Sequence, residues 1–268
     1  MATGRHSAIA LAGLVLLGSS RAAFGQSAEE GFFIAGDFTV QGQVVKGVPY
    51  LANAVTRIKQ TLPTGAQIST ELNSTKARDA FGRTRSEQTI GPIGPWAIYS
   101  GERSRDGKPA TVIVIQDPVK QMNYVLDPQS HLARYSRQEP FDAERYARQL
   151  AEQKARANQN EPRTERTESL GKKKIEGVEA TGTRTTSTFP VGSVRNTAPI
   201  EIVFETWYSP ELKVVVLGMR NDPRVGEITY RLIGIKRQNP DPSLFEVPAE
   251  YHLEPQPTRQ EEERKRKD

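Results

Sequence analysis

The last third of the chain has the clearest pattern of apolar and polar positions. Residues 199–208 alternate between the two types, which is typical of a strand with one buried face. Residues 212–219 are apolar on both faces, as expected of an inner strand covered on each side. Residues 227–236 alternate again, and the apolar positions change face after Gly234, where a bulge is expected. The pattern predicts a three-stranded β-meander.

Shorter alternating runs continue this pattern upstream of the meander. They predict strands at residues 37–46, 50–62, 67–78, 83–90, 111–116, 121–126, 131–137, 174–178 and 180–188. An Asp-Pro pair recurs, in which an acceptor side chain precedes a ring that restricts φ, so each pair is expected at a hairpin corner. The four pairs begin at Asp117, Asp127, Asp222 and Asp241.

One segment has helical spacing instead. Between residues 142 and 157, Ala143, Tyr146 and Leu150 recur on one narrow stripe, with Asp142 in the position of an N-cap. Residues 158–168 are charged and carry no apolar pattern, so we expect a linker there. The two together predict a helix and linker insertion at about residues 141–168.

These elements predict a mainly β (α+β) fold, either a curved antiparallel sheet or an incomplete β-barrel with one or two helices packed on it. We expect a single domain over residues 26–252. Residues 253–268 mix both charge signs and are expected to form a disordered tail.

The first 25 residues have the order of an export signal. Arg5 precedes an apolar run at residues 8–17, and small residues lead to a predicted cleavage site before Gln26. The run has about ten residues, whereas a membrane-spanning helix needs roughly 20. We therefore expect a periplasmic or secreted protein that is soluble after cleavage, with no transmembrane span.

Composition excludes several classes of chemistry. The chain has no cysteine, so disulfides, thiol chemistry and sulfur-ligated metals are absent. The net charge is +5, and +3 remains without the two arginines of the signal, which is too little to indicate nucleic-acid binding. His131 and His252 have no metal-ligand spacing around them, and no phosphate loop or Gly-x-Ser-x-Gly motif is present. We expect no enzyme activity, no catalytic residue, no metal and no cofactor.

The strand faces suggest two candidate binding features. Apolar and aromatic side chains could line a cavity in a curled sheet or simply fill its core; they are Ile202, Phe204, Tyr208, Tyr230, Leu232 and Tyr124. Four basic residues flank one turn and form a candidate basic rim for an anionic head group: Lys76, Arg78, Arg83 and Arg85. The alternative for the second set is an edge hairpin kept soluble by its charges.

Five passages carry a resemblance to known proteins. They are YVLDP at 124–128, SLGKKKIEGVEATGTRTT at 169–186, ETWYSPELKVVV at 205–216, NDPRVGE at 221–227 and DPSLFEVPAEY at 241–251. Over residues 50–251 the chain resembles a family of secreted bacterial proteins of unknown function. It is also similar to the outer-membrane lipoprotein carrier superfamily. That resemblance implies an incomplete β-barrel closed by helices over an apolar cavity for acyl chains, while the fold alone does not imply the function.

Two functions follow as hypotheses. The first is a non-catalytic extracytoplasmic protein that binds a lipid, an acyl chain or a lipoprotein. The second is an envelope sensor or interaction module with a filled core and a protein partner. A hydrolase is the least favoured class, since no nucleophile and base can be assembled from the motifs present.

Overall fold

The computed structural model describes residues 44–90, 110–138, 140–160 and 162–257. The predicted signal peptide, nearly all of the predicted strand at 37–46 and residues 258–268 of the predicted tail lie outside these ranges.

Twelve strands and one α-helix make up the described chain. The strands are β1 (Tyr50–Thr61), β2 (Gln67–Arg78), β3 (Thr84–Ile90), β4 (Ala110–Asp117), β5 (Met122–Asp127), β6 (Leu132–Arg137), β7 (Thr164–Ile175), β8 (Val178–Phe189), β9 (Ile200–Ser209), β10 (Val214–Asp222), β11 (Gly226–Lys236) and β12 (His252–Pro255). The helix α1 (Ala143–Asn160) follows β6, and a 3₁₀ helix (Pro242–Phe245) precedes β12.

All twelve strands belong to one open sheet. Its order is β12-β6-β5-β4-β3-β2-β1-β11-β10-β9-β8-β7, with β12 and β7 at the two edges. Every neighbouring pair is antiparallel except β12 and β6, which run parallel. The predicted mainly β fold with an open, largely antiparallel sheet is confirmed.

The predicted bulge near Gly234 is present. Leu51 pairs with Lys236 and Asn53 with Ile233, so β11 has one more residue than β1 between these pairs. Gly234 has a φ of 62°, a left-handed conformation that a glycine adopts without a steric penalty. The bulge explains why the apolar face of β11 changes sides at this point.

Three of the four Asp-Pro pairs close hairpins. Asp117, Asp127 and Asp222 each accept, through Oδ1, the backbone N–H two residues further along, at 2.9, 2.9 and 3.0 Å. The fourth prediction is wrong, because Asp241 caps the 3₁₀ helix and accepts the N–H of Ser243 at 2.9 Å. An aspartate followed by proline suits both a type I turn and a helix start, so the pair alone cannot distinguish them.

The helix α1 is present with the predicted cap. Asp142 Oδ1 accepts the N–H of Arg145 at 2.8 Å, and the rings of Phe141 and Tyr146 lie 5.7 Å apart. Ala143 and Ala147 on the predicted apolar stripe are nevertheless exposed. Among the described residues, no strand has an extensive contact with α1. The contact of this helix with the sheet is therefore small at most, as expected from the small apolar area of an alanine stripe.

Two predicted boundaries differ from the structure. The expected linker at 158–168 gives way to β7 from Thr164, because the polar residues there pair along their backbones with β8. The expected tail from residue 253 begins later, because β12 pairs with β6 over His252–Pro255. In both places the backbone pairing of a sheet edge stabilises a strand without an apolar pattern in the sequence.

The buried apolar residues form two clusters. The central cluster contains Tyr50, Ala52, Ala54, Ile175, Val178, Ala180, Trp207, Leu212, Val214, Val215, Val216, Tyr230 and Leu232. The capped cluster contains Ala77, Ile113, Ile115, Leu126, Ala133 and Phe245. Phe245 comes from the 3₁₀ helix, which contacts β3 and β4 and covers the capped cluster.

Candidate ligand-binding face

Cross-strand register places several predicted ligand residues on one face of the sheet. Phe204 pairs with Arg220, Arg220 with Ile228, and Ile228 with Ile58, and residues that pair directly share a face. Counting in steps of two along each strand extends the set. We call it the apolar face: Ile58, Leu72, Ile202, Phe204, Ile228, Tyr230 and Leu232.

Burial divides the apolar face into a closed part and a more open part. Tyr230 and Leu232 are only 1% and 0% exposed and belong to the central cluster. Ile202 and Phe204 are half-buried on β9. Tyr208, four residues after Phe204 on the same strand face, is 40% exposed. The β9 side chains are therefore partly accessible to solvent, whereas Tyr230 and Leu232 belong to the core.

Tyr124 lies apart from the other predicted ligand residues. It pairs with Ile115 on β4 and Tyr135 on β6, and packs against the capped cluster. Burial, with a smaller contribution from the charge of Asp117, raises its pKa above 10.0. Its face is opposite to the apolar face, because Val125 and not Tyr124 aligns with Val114 and Ser86.

The four residues of the candidate basic rim are not brought together on one surface. Lys76 and Arg78 are 2% and 1% exposed, on the same side of the sheet as the apolar face. Arg85 aligns with Ala77 on the other side and forms an ion pair with Glu87 at 2.9 Å.

Arg78 has a structural role that the sequence pattern did not reveal. Its Nε and Nη2 donate to the carbonyl oxygen of Val48 at 3.1 and 3.0 Å, and Nη2 also donates to that of Leu212. The guanidinium carbon lies 4.9 Å from the ring centroid of Tyr50. One buried cation thus links the residues before β1, the end of β2 and the β9–β10 turn.

A second charged cluster lies at the other end of the apolar face. Asp222 is 0% exposed, and its Oδ2 accepts hydrogen bonds from Arg220 at 2.8 Å and Arg224 at 2.9 Å. Burial alone would raise the pKa of this carboxyl group, but the hydrogen bonds and charges of the two arginines outweigh it and lower the pKa below 3.8. The sequence indicated Asp222 only as a turn residue. The arginines two residues before and after it were a usable signal of a charged cluster.

A polar groove of ≈ 590 Å³ lies beside β7–β10. Its lining includes Arg184, which pairs with Glu205 and Glu168 at 2.7 and 3.1 Å. The hydrogen bond that Arg184 donates to Glu205, followed by the one that it donates to Glu168, raises the pKa of Arg184. The charged side chains of the groove lining are five glutamates and three arginines, so the groove is mainly acidic.

Within the described ranges, no group of three or more histidine, aspartate or glutamate side chains could hold a metal ion. In the same ranges, none of the helices combines the length and the apolar character needed to cross a bilayer.

Comparisons with known proteins show a likeness at the level of the fold. No protein-family model matches the chain, and no curated protein sequence matches it. Among solved structures, an uncharacterized conserved protein from Thermus thermophilus matches with a TM-score of 0.39 at 10% identity, over 86% of this chain and 100% of that one. The MucA/MucB complex of Pseudomonas aeruginosa matches with a TM-score of 0.38 at 9% identity, over 81% of this chain. This chain spans only 60% of the length of that protein.

A LolA superfamily protein from Nitrosomonas europaea also matches, with a TM-score of 0.29 at 7% identity, over 74% of this chain and 90% of that one. The resemblance to the lipoprotein carrier superfamily stays a prediction from the sequence, since all of these matches have low identity and low TM-scores. At these identities the likeness concerns the fold alone.

Proposed function

We propose that this protein is a non-catalytic, extracytoplasmic binding protein that takes up an apolar or lipidated ligand on the apolar face. The observation that carries the proposal is the row of incompletely buried apolar side chains on one side of an open sheet. Ile202, Phe204 and Ile228 are half-buried there, and Ile68 at the end of the row is 44% exposed. Arg220, which is buried and paired with Asp222, separates Phe204 from Ile228 in this row, so the accessible apolar surface consists of neighbouring patches. Grouped apolar patches mark interaction sites more often than single exposed residues do.

The position of the covering elements supports the same face. Among the described elements outside the sheet, only the 3₁₀ helix has an extensive contact with the strands, and it lies over the capped cluster. That cluster is on the opposite side of the sheet, where Ala77 and Arg85 align. The apolar face is therefore available for a ligand without displacing the 3₁₀ helix.

The burial of Tyr230 and Leu232 favours the alternative function. Side chains that are 1% and 0% exposed already fill the middle of the apolar face. A protein with a filled core would act as an envelope sensor or interaction module and would bind a protein partner in place of a lipid. The two functions differ in the molecule that should co-purify with the native protein, which is an apolar ligand for the first and a protein partner for the second.

The decisive experiment is native mass spectrometry of the full chain, exported and purified without detergent, followed by solvent extraction. A stoichiometric apolar species is expected and would identify the ligand class. The residue assignment is tested with the fluorescent probe N-phenyl-1-naphthylamine. Phe204→Ser should weaken probe binding about tenfold, since burying an aromatic ring contributes about 1.5–3 kcal/mol.

Phe81→Ser is the matched control, because Phe81 is 63% exposed in the β2–β3 turn and lies outside the apolar face. It should leave probe binding unchanged. A bare protein mass that stays unchanged after incubation with lipids would overturn the binding function and favour the protein-interaction module. Equal probe binding by the two variants would overturn the site but not the function.

A further inference from the structure

Several of the exposed apolar side chains lie at one end of the sheet. The β2–β3 and β4–β5 turns are neighbours there, since Thr84 at the start of β3 pairs with Gln116 near the end of β4. Their tips carry Phe81 and Val119, each 63% exposed. Turns two strands apart are separated by about 10 Å, so the two side chains form one apolar tip.

Val44 extends this apolar tip. A Cβ atom added at Gly82 would lie 2.7 Å from Cγ1 of Val44, so the valine packs directly against the β2–β3 turn. Val44 is itself 39% exposed. We use the name apolar tip for Val44, Phe81 and Val119.

The charges around the apolar tip are unequal. Exposed lysines stand beside it and on the next turn at the same end: Lys46, Lys120 and Lys213. The two aspartates of these turns are 4% and 1% exposed, and both accept backbone N–H groups of their own turns; they are Asp79 and Asp117. The accessible charge next to the tip is therefore positive.

Two further acidic groups at this end are paired with arginines, while Asp241 is exposed two residues from Asn239, whose Oδ1 accepts the N–H of Ala80 in the β2–β3 turn. Glu176 in the β7–β8 turn pairs with Arg231 at 2.9 Å, and Glu211 in the β9–β10 turn pairs with Arg237 at 3.0 Å. An apolar tip with exposed lysines beside it matches a membrane interface, where acyl chains lie below anionic head groups.

We propose that this end of the sheet docks on an anionic membrane surface, with Phe81 and Val119 inserted between head groups and the lysines above them. The inference goes beyond ligand binding on the apolar face and does not depend on it. A protein partner is the competing occupant, and it would show as an absence of binding to protein-free vesicles.

The test is flotation of the full exported chain with vesicles of phosphatidylcholine alone and of phosphatidylcholine with phosphatidylglycerol. Binding is expected only with the anionic vesicles and should weaken as salt is raised. The double variant Phe81→Ser/Val119→Ser should lose at least tenfold in affinity, since both side chains leave the interface. Lys120→Gln should lose about fivefold, which corresponds to about 1 kcal/mol per lysine near such a surface.

The other end of the sheet supplies matched controls. Val191 in the β8–β9 loop is 61% exposed, and Lys59 is an exposed lysine near the end of β1. Val191→Ser and Lys59→Gln should both bind like the parent chain. Failure of the parent chain to bind anionic vesicles, or undiminished binding by the double variant, would overturn the proposal. Probe binding on the apolar face is measured separately, so the two functions can fail independently.

Discussion

Phe245 packs against one half of the sheet and Phe204 belongs to a strand of the other half, and the two side chains differ in burial. Phe245 is 1% exposed because the 3₁₀ helix, which contacts β3 and β4, places this side chain in the capped cluster. Phe204 is half-buried on β9 and only borders the central cluster. One half thus receives its covering layer from the C-terminal segment of the chain, while the apolar face of the other half stays partly open. The comparison indicates which half is available to a ligand.

The largest expected loss of stability comes from removing the side chain that covers the capped cluster. Phe245→Ala should lower the free energy of unfolding by about 4 kcal/mol, because a large cavity would be left in a buried cluster. Urea denaturation monitored by circular dichroism measures this loss. Phe81→Ala is the control, since its 63% exposed ring should change stability by less than about 0.5 kcal/mol. Similar losses in the two variants would contradict the assignment of Phe245 as the cap.

A somewhat smaller loss is expected from Asp222→Asn at the end of the apolar face. The substitution leaves Arg220 and Arg224 facing a neutral amide and should cost about 3 kcal/mol at neutral pH. The folded-state pKa of Asp222 is lowered, so its contribution is present above the unfolded-state pKa and is lost as the pH falls through the folded-state value.

The two stabilities should therefore begin to converge as the pH falls below about 4, and the difference should disappear only below the folded-state pKa of Asp222. Urea unfolding curves at several pH values measure this. A difference that stayed constant with pH would show that the carboxylate charge is not the cause.

Gly182→Ala should have an intermediate effect on the central cluster. A Cβ atom at this position would lie 2.7 Å from two carbon atoms of the Trp207 ring, which is rigid and 6% exposed. Overpacking of this kind costs about 2 kcal/mol. Thermal unfolding and the fluorescence of Trp207 should both change. Gly192→Ala suits as a contrast in open space, since no atom lies within 4 Å of its added Cβ, although its φ of 82° adds backbone strain.

The smallest change in stability is expected for the proposed ligand residue. Phe204→Ser should lower the free energy of unfolding by about 1 kcal/mol, because the ring is only half-buried in the free protein. The same variant should bind the fluorescent probe about tenfold more weakly, which separates a binding role from a structural one. A stability loss as large as that of Phe245→Ala would place Phe204 in the core and remove the distinction between the two halves.

The positions of most strands along the chain could be predicted from alternation and turn residues. The strand β2 has the predicted bounds, β1 and β3 differ from prediction by one residue at one end, and β9 differs by one residue at each end. Alternation identifies these strands because a half-buried strand must present apolar residues with a period of two. The strand β7 was only partly predicted because its pairing uses the backbone, which every sequence shares.

The candidate site was less predictable, for a related reason. Alternation placed Ile202, Phe204, Tyr230 and Leu232 on one face of their strands, but it could not tell core from surface within that face. Tyr124 has the same local pattern and lies on the opposite side of the sheet. The side of the sheet on which a residue lies depends on how its strand pairs with neighbouring strands. Pairing between strands distant in sequence is established only during folding.

The amino-acid sequence by itself determined the class of fold, the turns at Asp117, Asp127 and Asp222, and the cap at Asp142, because these depend on residues close together in the chain. Tertiary structure alone decided that Lys76 and Arg78 are buried, that Arg78 joins three distant segments, and that the C-terminal segment covers one half of the sheet. These outcomes depend on contacts between segments separated by up to 159 positions, as between Arg85 and Leu244. No local pattern of residues encodes contacts of that range, since they form only when the whole sheet is assembled.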